Sequence, residues 1–281
     1  MKHFDFLTKP TRSILVLILS AVIVFGTVGC SSDNQSSDEP TDSPAPSSTA
    51  SVETNGDFYT YDQDFSTYSP GTLLRSESFT FEDWPDVPAW KILYITEVTQ
   101  DDQPVNVLSS GYVLGPSTTT DATLSATPLI ALAHGTSGYV PRCAPTILGE
   151  EVMLSGVPNL SEILNRGYAI VGTDYPGMGT NGLNPYLIGQ DEAKAVLDSI
   201  RAAGQISELT LTNHNTIMGH SQGGGAALWT GILAPKYAPE LNIAGVIAAA
   251  PASNIPQVFK DFGTNDLDRH IQAYALASFS N

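Results

Sequence analysis

Apolar residues along this chain fall into three patterns. Residues 89–116, AWKILYITEVTQDDQPVNVLSSGYVLGP, alternate in two stretches around QDDQP, which predicts an antiparallel hairpin. Residues 127–133 (TPLIALA), 168–173 (YAIVGT), 215–220 (NTIMGH) and 242–251 (NIAGVIAAAP) are short, nearly unbroken apolar runs. Runs of that length and β-branched content predict strands covered on both faces. The third pattern is helical. NLSEILNR is stopped by Gly167, and residues 185–206 carry Ile188, Ala195 and Ala202 on one face. GGGAALWTGIL follows the third apolar run, and residues 271–279 read as a last apolar helix. Strands that alternate with helices after an opening hairpin predict an α/β chain, a mostly parallel sheet with helices on both faces. No internal repeat is present.

The first 57 residues follow none of these patterns. Lys2, Lys9 and Arg12 precede the uncharged run SILVLILSAVIVFGTVG, which ends at Cys30. A basic start, an apolar run and small residues before a cysteine predict an export signal. TVGC resembles a bacterial lipobox, with Thr27 where Leu is commoner, and implies that Cys30 carries lipid. The alternative is an uncleaved membrane anchor. The polar stretch SSDNQSSDEPTDSPAPSSTASVETNGD after Cys30 favours the lipoprotein, because it is too poor in apolar residues to fold and serves as a spacer from a bilayer. The expected division is a lipoprotein signal peptide over 1–29, a disordered tether over 30–57 and a folded domain over 58–281. The expected place is the bacterial cell envelope, held to the membrane through Cys30, with Ser31 favouring the outer membrane of a Gram-negative cell.

Charge and cysteine content narrow the partners. Twelve basic residues stand against 29 acidic ones, a net charge of −17, and the leader holds three of the twelve. Such a surface repels nucleic acid, and no basic stripe interrupts it. Beyond Cys30 the chain has only Cys143, read as a small buried residue or as half of a disulfide. No Cys/His cluster has ligand spacing, so neither a metal nor a cofactor is expected.

Candidate chemistry sits in GHSQGGGAAL. Gly219-x-Ser221-x-Gly223, with a strand before it and a helix after it, has the spacing of a nucleophile elbow. That turn strains the nucleophile's backbone, and side chains two residues before and after it would collide with the strand and helix. It also leaves the backbone N–H of Gln222 at a helix N-terminus, where an oxyanion can develop. The competing reading is a Gly-rich helix entry with an incidental serine; the flanking strand and helix favour the elbow.

Four strings together, AHGTSGYVPRCAP, LNRGYAIVGTDYPGMGTNGLNPYLIGQDEAKAVLDSIRAA, GHSQGGGAALW and IAGVIAAAPAS, resemble the secretory lipase family of α/β-hydrolases, from about Trp90 to the last residue. The resemblance implies an α/β-hydrolase fold and a cofactor-free serine esterase or lipase acting on fatty-acyl esters such as triacylglycerols. It implies that Ser221 is the nucleophile, that Gln222 gives one oxyanion N–H, and that Gly135 and Thr136 supply the second. Asp174 and Tyr175 would shape the rim of the site, and the His134 ring would pack its loop.

The acid and base are the gap in this reading. In that fold the triad runs Ser, then Asp or Glu, then His along the chain. Only His270 follows Ser221, with Asp261, Asp266 and Asp268 ahead of it. Asp266 and His270 are weak candidates, since an offset of four on a helix is more often a surface contact. The expectation is that acid, base and final strands belong to a continuation, so that this chain is a fragment with little activity and Cys143 could find its partner there. Two other functions fit the residues: acyl transfer at the same site, and a lipid-anchored protein that binds a hydrophobic ligand without catalysis.

Overall fold

The dipeptide Asp101-Asp102 takes positive φ at both positions, 48° and 60°, the geometry of a tight hairpin turn. It joins β2 (Ala89–Gln100) to β3 (Gln103–Leu114) in unbroken antiparallel register from Gln100↔Gln103 to Ala89↔Leu114. In this computed structural model, residues 58–119, 126–263 and 265–280 are described. The expected leader, lipidation site and tether lie outside them. No helix among the described residues is long and apolar enough to cross a membrane.

One strand precedes the hairpin that sequence alone did not reveal. β1 (Leu73–Phe79) pairs antiparallel with β2, and its LLRSESF is too polar to stand out as a covered strand. The four apolar runs become β4 (Thr127–Ala133), β5 (Ala169–Thr173), β6 (Leu211–His220) and β7 (Ile243–Ala249). The sheet has the order β1-β2-β3-β5-β4-β6-β7. It is antiparallel through the β3–β5 pair and parallel from β5 to β7. This is the expected mostly parallel sheet, with three antiparallel strands at its start where a hairpin of two was read.

Burial on both faces explains the runs of β4, β5 and the end of β6. Strand β7 departs from the expectation, with no fully buried residue, because only β6 pairs with it among the described residues. Leu129, Ala131 and Ala133 of β4 point into one core with Val171, Ile217, Ala195 and Ile200. Ile130 and Leu132 point into the other with Ile170, Met218, Leu160 and Leu164. Each fully buried aliphatic side chain is worth about 1.5–3 kcal/mol, so strands at the centre of the sheet cannot afford polar positions on either face. The first core is roofed by α4 (Gly189–Ala203) and α5 (Gln222–Tyr237). The second is roofed by α2 (Glu150–Met153) and α3 (Leu160–Asn165), with the short α1 (Pro145–Leu148) just before them. Gly167, at φ 83°, ends the α3 segment as its position predicted.

A buried polar knot fixes α4 against its neighbours. Asp198 accepts from Thr96 Oγ1 at 2.7 Å, from Arg201 at 2.7 Å and from the Tyr237 hydroxyl at 2.9 Å. Strand β2, helix α4 and the end of α5 therefore meet at one carboxylate. After β7 the chain forms α6 (Ile255–Asp261) and α7 (Asp266–Phe279), the latter starting five residues before the predicted apolar segment because Asn265 caps it from the Asp268 N–H.

Candidate active site

Strand β6 runs straight into α5, and the turn between them is the single residue Ser221. Its backbone sits at φ 58°, ψ −118°, a region that a side-chain-bearing residue occupies only under strain. Three hydrogen bonds hold it there: Ser221 N–H donates to Ala249 O at 3.0 Å, and Ser221 O accepts from Gly225 N–H at 3.1 Å and Ala252 N–H at 3.0 Å. The end of β7 is thus the clamp on the elbow. The two flanking glycines are required sterically. A Cβ on Gly219 would stand 2.0 Å from Gly223 O, and one on Gly223 would stand 1.9 Å from Ala133 O.

The loop after β4 lies directly over this turn. A methyl group on Gly135 would come 3.3 Å from His220 O and 3.8 Å from Ser221 Cβ. Thr136 next to it meets the Tyr186 hydroxyl through Oγ1 at 2.7 Å. The loop 134–136 and the first turn of α5 therefore face each other across Ser221. By helix geometry the N–H of Gln222, in that first turn, has no intrahelical partner. These are the residues the sequence nominated, Ser221, Gln222, Gly135, Thr136, Gly219 and Gly223, and the structure brings them together.

His134 is 5% exposed, and its ring lies 4.5 Å from that of Tyr175. Nδ1 is 2.6 Å from Gly135 O and Nε2 is 3.3 Å from Asp174 O. Burial lowers its pKa from the ordinary histidine value and so favours the neutral ring. A neutral ring donates at one nitrogen only, and the shorter contact assigns Nδ1–H. The imidazole thus braces its own loop, as the sequence suggested. Tyr175, at φ 66°, supports the same loop from beneath by donating its hydroxyl to His134 O at 3.3 Å.

Asp174 corrects the sequence reading. It does not shape the rim; it is fully buried and accepts from Ser110 Oγ at 2.6 Å and from Thr146. Burial pushes its pKa up to about 6 against those hydrogen bonds. The physical reason is that an aspartate with three donors needs no solvent, and a strand-end position alone cannot distinguish the two cases.

Glu192 was missed. It stands in the first turn of α4, is 1% exposed, and accepts from Gln222 Nε2 at 2.7 Å and from Leu187 N–H at 3.0 Å. Burial, reinforced by Asp191, pushes its pKa up to about 7. Acidic residues at helix starts are ordinary capping signals, so GQDEAKAV gave no hint of a contact thirty positions away. Beside Gln222 and Glu192 opens a cleft of about 340 Å³, bordered by Ile188, Trp229, Ile255 and Phe279. A second depression of about 370 Å³, around Asp64 and Asn106, contains no residue of the elbow.

Asp266 and His270 are not brought together. The Asp266 side chain is 92% exposed and faces Arg269 at 3.9 Å. The His270 ring stacks on Tyr274 with centroids 6.3 Å apart. Although an offset of four puts them on one face of α7, Asp266 turns to Arg269 and His270 to Tyr274. Cys143 is 1% exposed and packs with Ala144 and Met178. Among the described residues no group of three His, Cys, Asp or Glu side chains could hold a metal ion.

Comparison with known proteins bears on this geometry. Residues 154–281 match the sequence model of the secretory lipase family. Three of the four strings lie within the match, which bears out the resemblance, and AHGTSGYVPRCAP precedes it. The chain is similar to the secreted triacylglycerol lipase LIP3 of Malassezia globosa, 25% identical over 212 residues, 72% of this chain and 44% of that protein. It is also similar to Lipase 7 of Candida albicans, 28% identical over 216 residues, 71% of this chain and 47% of the relative. The chain thus spans less than half the length of these curated relatives. Among solved structures, Candida antarctica lipase A in its closed state superposes with a TM-score of 0.62 at 21% identity, over 80% of this chain and 52% of the other. The rice cell wall degrading esterase LipA from Xanthomonas oryzae does so with a TM-score of 0.54 at 24% identity, over 69% and 53%. The fold is that of the α/β-hydrolases.

Proposed function

We propose that this chain, similar over residues 154–281 to the secretory lipases, carries the nucleophile and oxyanion half of a serine ester hydrolase that acts on fatty-acyl esters. The single observation that carries the reading is the strained Ser221 at a strand-to-helix turn, faced by the loop 134–136. The Ser221 hydroxyl attacks the ester carbonyl and loses its proton to a general base. The carbonyl oxygen, now negative, is met by the Gln222 N–H and by a backbone N–H at Gly135 or Thr136, a pair of donors worth about 3–4 kcal/mol of barrier each in comparable sites. Collapse expels the alcohol, and water releases the acid from the acyl-enzyme. The cleft bordered by Ile188, Trp229, Ile255 and Phe279 is mostly apolar and adjoins Gln222, which suits an acyl chain.

Export accompanies this activity in the proposal. The leader of residues 1–29 directs the chain out of the cytoplasm, and Cys30 holds it to the envelope by lipid while the tether gives it reach. The secreted relatives support export, and TVGC supports the anchor. Loss of palmitate incorporation in Cys30→Ser tests the anchor; unchanged incorporation overturns it.

Labelling with a fluorophosphonate tests the enzyme. The expected result is one labelled serine, absent in Ser221→Ala. Equal labelling of that variant, or ester hydrolysis that persists in it, overturns the assignment of Ser221.

A further inference from the structure

A single carboxylate oxygen joins the first turn of α5 to the segment that leads into α4. Glu192 Oε1 accepts from the Gln222 side chain at 2.7 Å and from the Leu187 backbone N–H at 3.0 Å. Gln222 is the residue whose N–H faces the developing oxyanion. Leu187 directly follows Tyr186, whose hydroxyl meets Thr136 Oγ1 at 2.7 Å in the opposing loop. Leu187 itself is held at φ 61°, a left-handed conformation that a leucine adopts only when its surroundings impose it. Its N–H bond to Glu192 is a restraint at that strained position.

The backbone of Ser221 is clamped from the β7 side by Ala249 and Ala252. On the α4 side the side-chain anchor is Glu192. We propose that Glu192 is a positioning residue that sets the spacing between the two oxyanion donors, holding Gln222 directly and the Gly135–Thr136 loop through Leu187 and Tyr186. The proposal rests on the serine-esterase reading of the site. It needs an acceptor oxygen at this position, not a charge, so glutamine can replace glutamate while leucine cannot.

The experiment compares Glu192→Gln, Glu192→Leu, Gln222→Met and Ser221→Ala in the full chain. With a p-nitrophenyl ester, Glu192→Leu lowers kcat by about 10-fold or more and leaves KM within about 2-fold, the signature of an interaction made in the transition state. Glu192→Gln keeps the acceptor and restores kcat to within about 3-fold of the parent. Gln222→Met cuts the same bond from the other side and gives a similar loss, and the two losses do not add in the double variant. Should Glu192→Leu fail to fold, Gln222→Met decides. Amide NMR gives a readout independent of turnover: the backbone amides of Gln222 and Thr136 both move in Glu192→Leu and stay near their parent positions in Glu192→Gln. Parent-like kcat in Glu192→Leu, or an unmoved Thr136 amide, overturns the proposal. If Ser221→Ala is labelled by a fluorophosphonate as readily as the parent, the esterase reading has failed instead, and the two amides alone decide whether Glu192 couples the loops.

Discussion

Asp174 and Thr146, 28 positions apart, are joined twice: Thr146 donates to the Asp174 carboxylate through its backbone N–H at 3.1 Å and through its hydroxyl at 2.5 Å. Ser110 Oγ adds a third bond from β3 at 2.6 Å. The carboxylate ties the end of β5 to β3 and to the start of α1, beneath the loop that faces Ser221. Asp174→Ala would leave those donors without their acceptor in a site with no access to water. The expected cost is about 3 kcal/mol or more, read as a lowered midpoint of urea unfolding. Asp174→Asn keeps one acceptor oxygen and should cost about 1 kcal/mol. Midpoints equal to the parent's in both variants would show that the bonds carry no net stability.

Two glycines predict opposite outcomes for the same substitution. Gly223→Ala puts a Cβ 1.9 Å from Ala133 O, a backbone atom in the central strand, and nothing there can yield. The elbow must open, so fluorophosphonate labelling is lost and the midpoint falls by about 3 kcal/mol or more. At Gly245 in β7 an added Cβ meets nothing within 4 Å. Gly245→Ala therefore leaves labelling intact and changes stability by about 0.5–1 kcal/mol, in the stabilising direction, through the unfolded chain.

The covered strands and the elbow were legible because both are steric requirements written in residue type. An interior parallel strand excludes polar side chains, as in TPLIALA, and the elbow excludes all but glycine at 219 and 223. β1 was not legible, since LLRSESF lies at a sheet edge where polar residues cost nothing. Asp174 was misplaced and Glu192 overlooked for a different reason. What makes each of them matter is a set of donors brought from distant segments, and local sequence carries no record of those.

Three buried carboxyl groups give the stability an unusual pH dependence. Burial pushes Asp174 and Asp198 up to about 6 and Glu192 up to about 7. An unfolded chain titrates these groups near pH 4. Between pH 4 and 7 the native state therefore binds more protons than the unfolded one, and stability falls as pH rises. Their contribution is fully present below about pH 4 and lost as pH passes through the native values of 6 to 7. Calorimetry should show a lower melting temperature at pH 8 than at pH 5, by an amount on the order of a few kcal/mol in stability. Glu192→Gln should flatten the upper part of that slope, because an amide does not titrate. A melting temperature that rises steadily from pH 5 to 8 would contradict the raised carboxyl values, since among these groups only the buried, neutral His134 acts in that direction.

Strand β7 sets the last expectation. It pairs with β6 on one side, and Ile247 on it is 50% exposed while Val246 is 37% exposed. Val246 faces α5, where Ile232 is 69% and Trp229 39% exposed, whereas Ile247 lies on the opposite face of the sheet beside Met218. Among the described residues no strand pairs with the other flank of β7, and a flank so placed offers backbone groups to a further strand, the arrangement that sheet edges usually block with lysine. Ile247→Lys places a charge at a half-exposed position of that strand. Its burial term is small, so the unfolding midpoint should move by less than about 1 kcal/mol. Self-association, followed by light scattering as concentration is raised, should fall clearly. Ile247 also stands two residues before Ala249, whose carbonyl holds the Ser221 N–H at 3.0 Å. Fluorophosphonate labelling should therefore persist in Ile247→Lys, since the clamp is a backbone contact that this side chain, directed to a face of the sheet, does not enter. Unchanged scattering would mean that the apolar edge is not where copies of the chain meet.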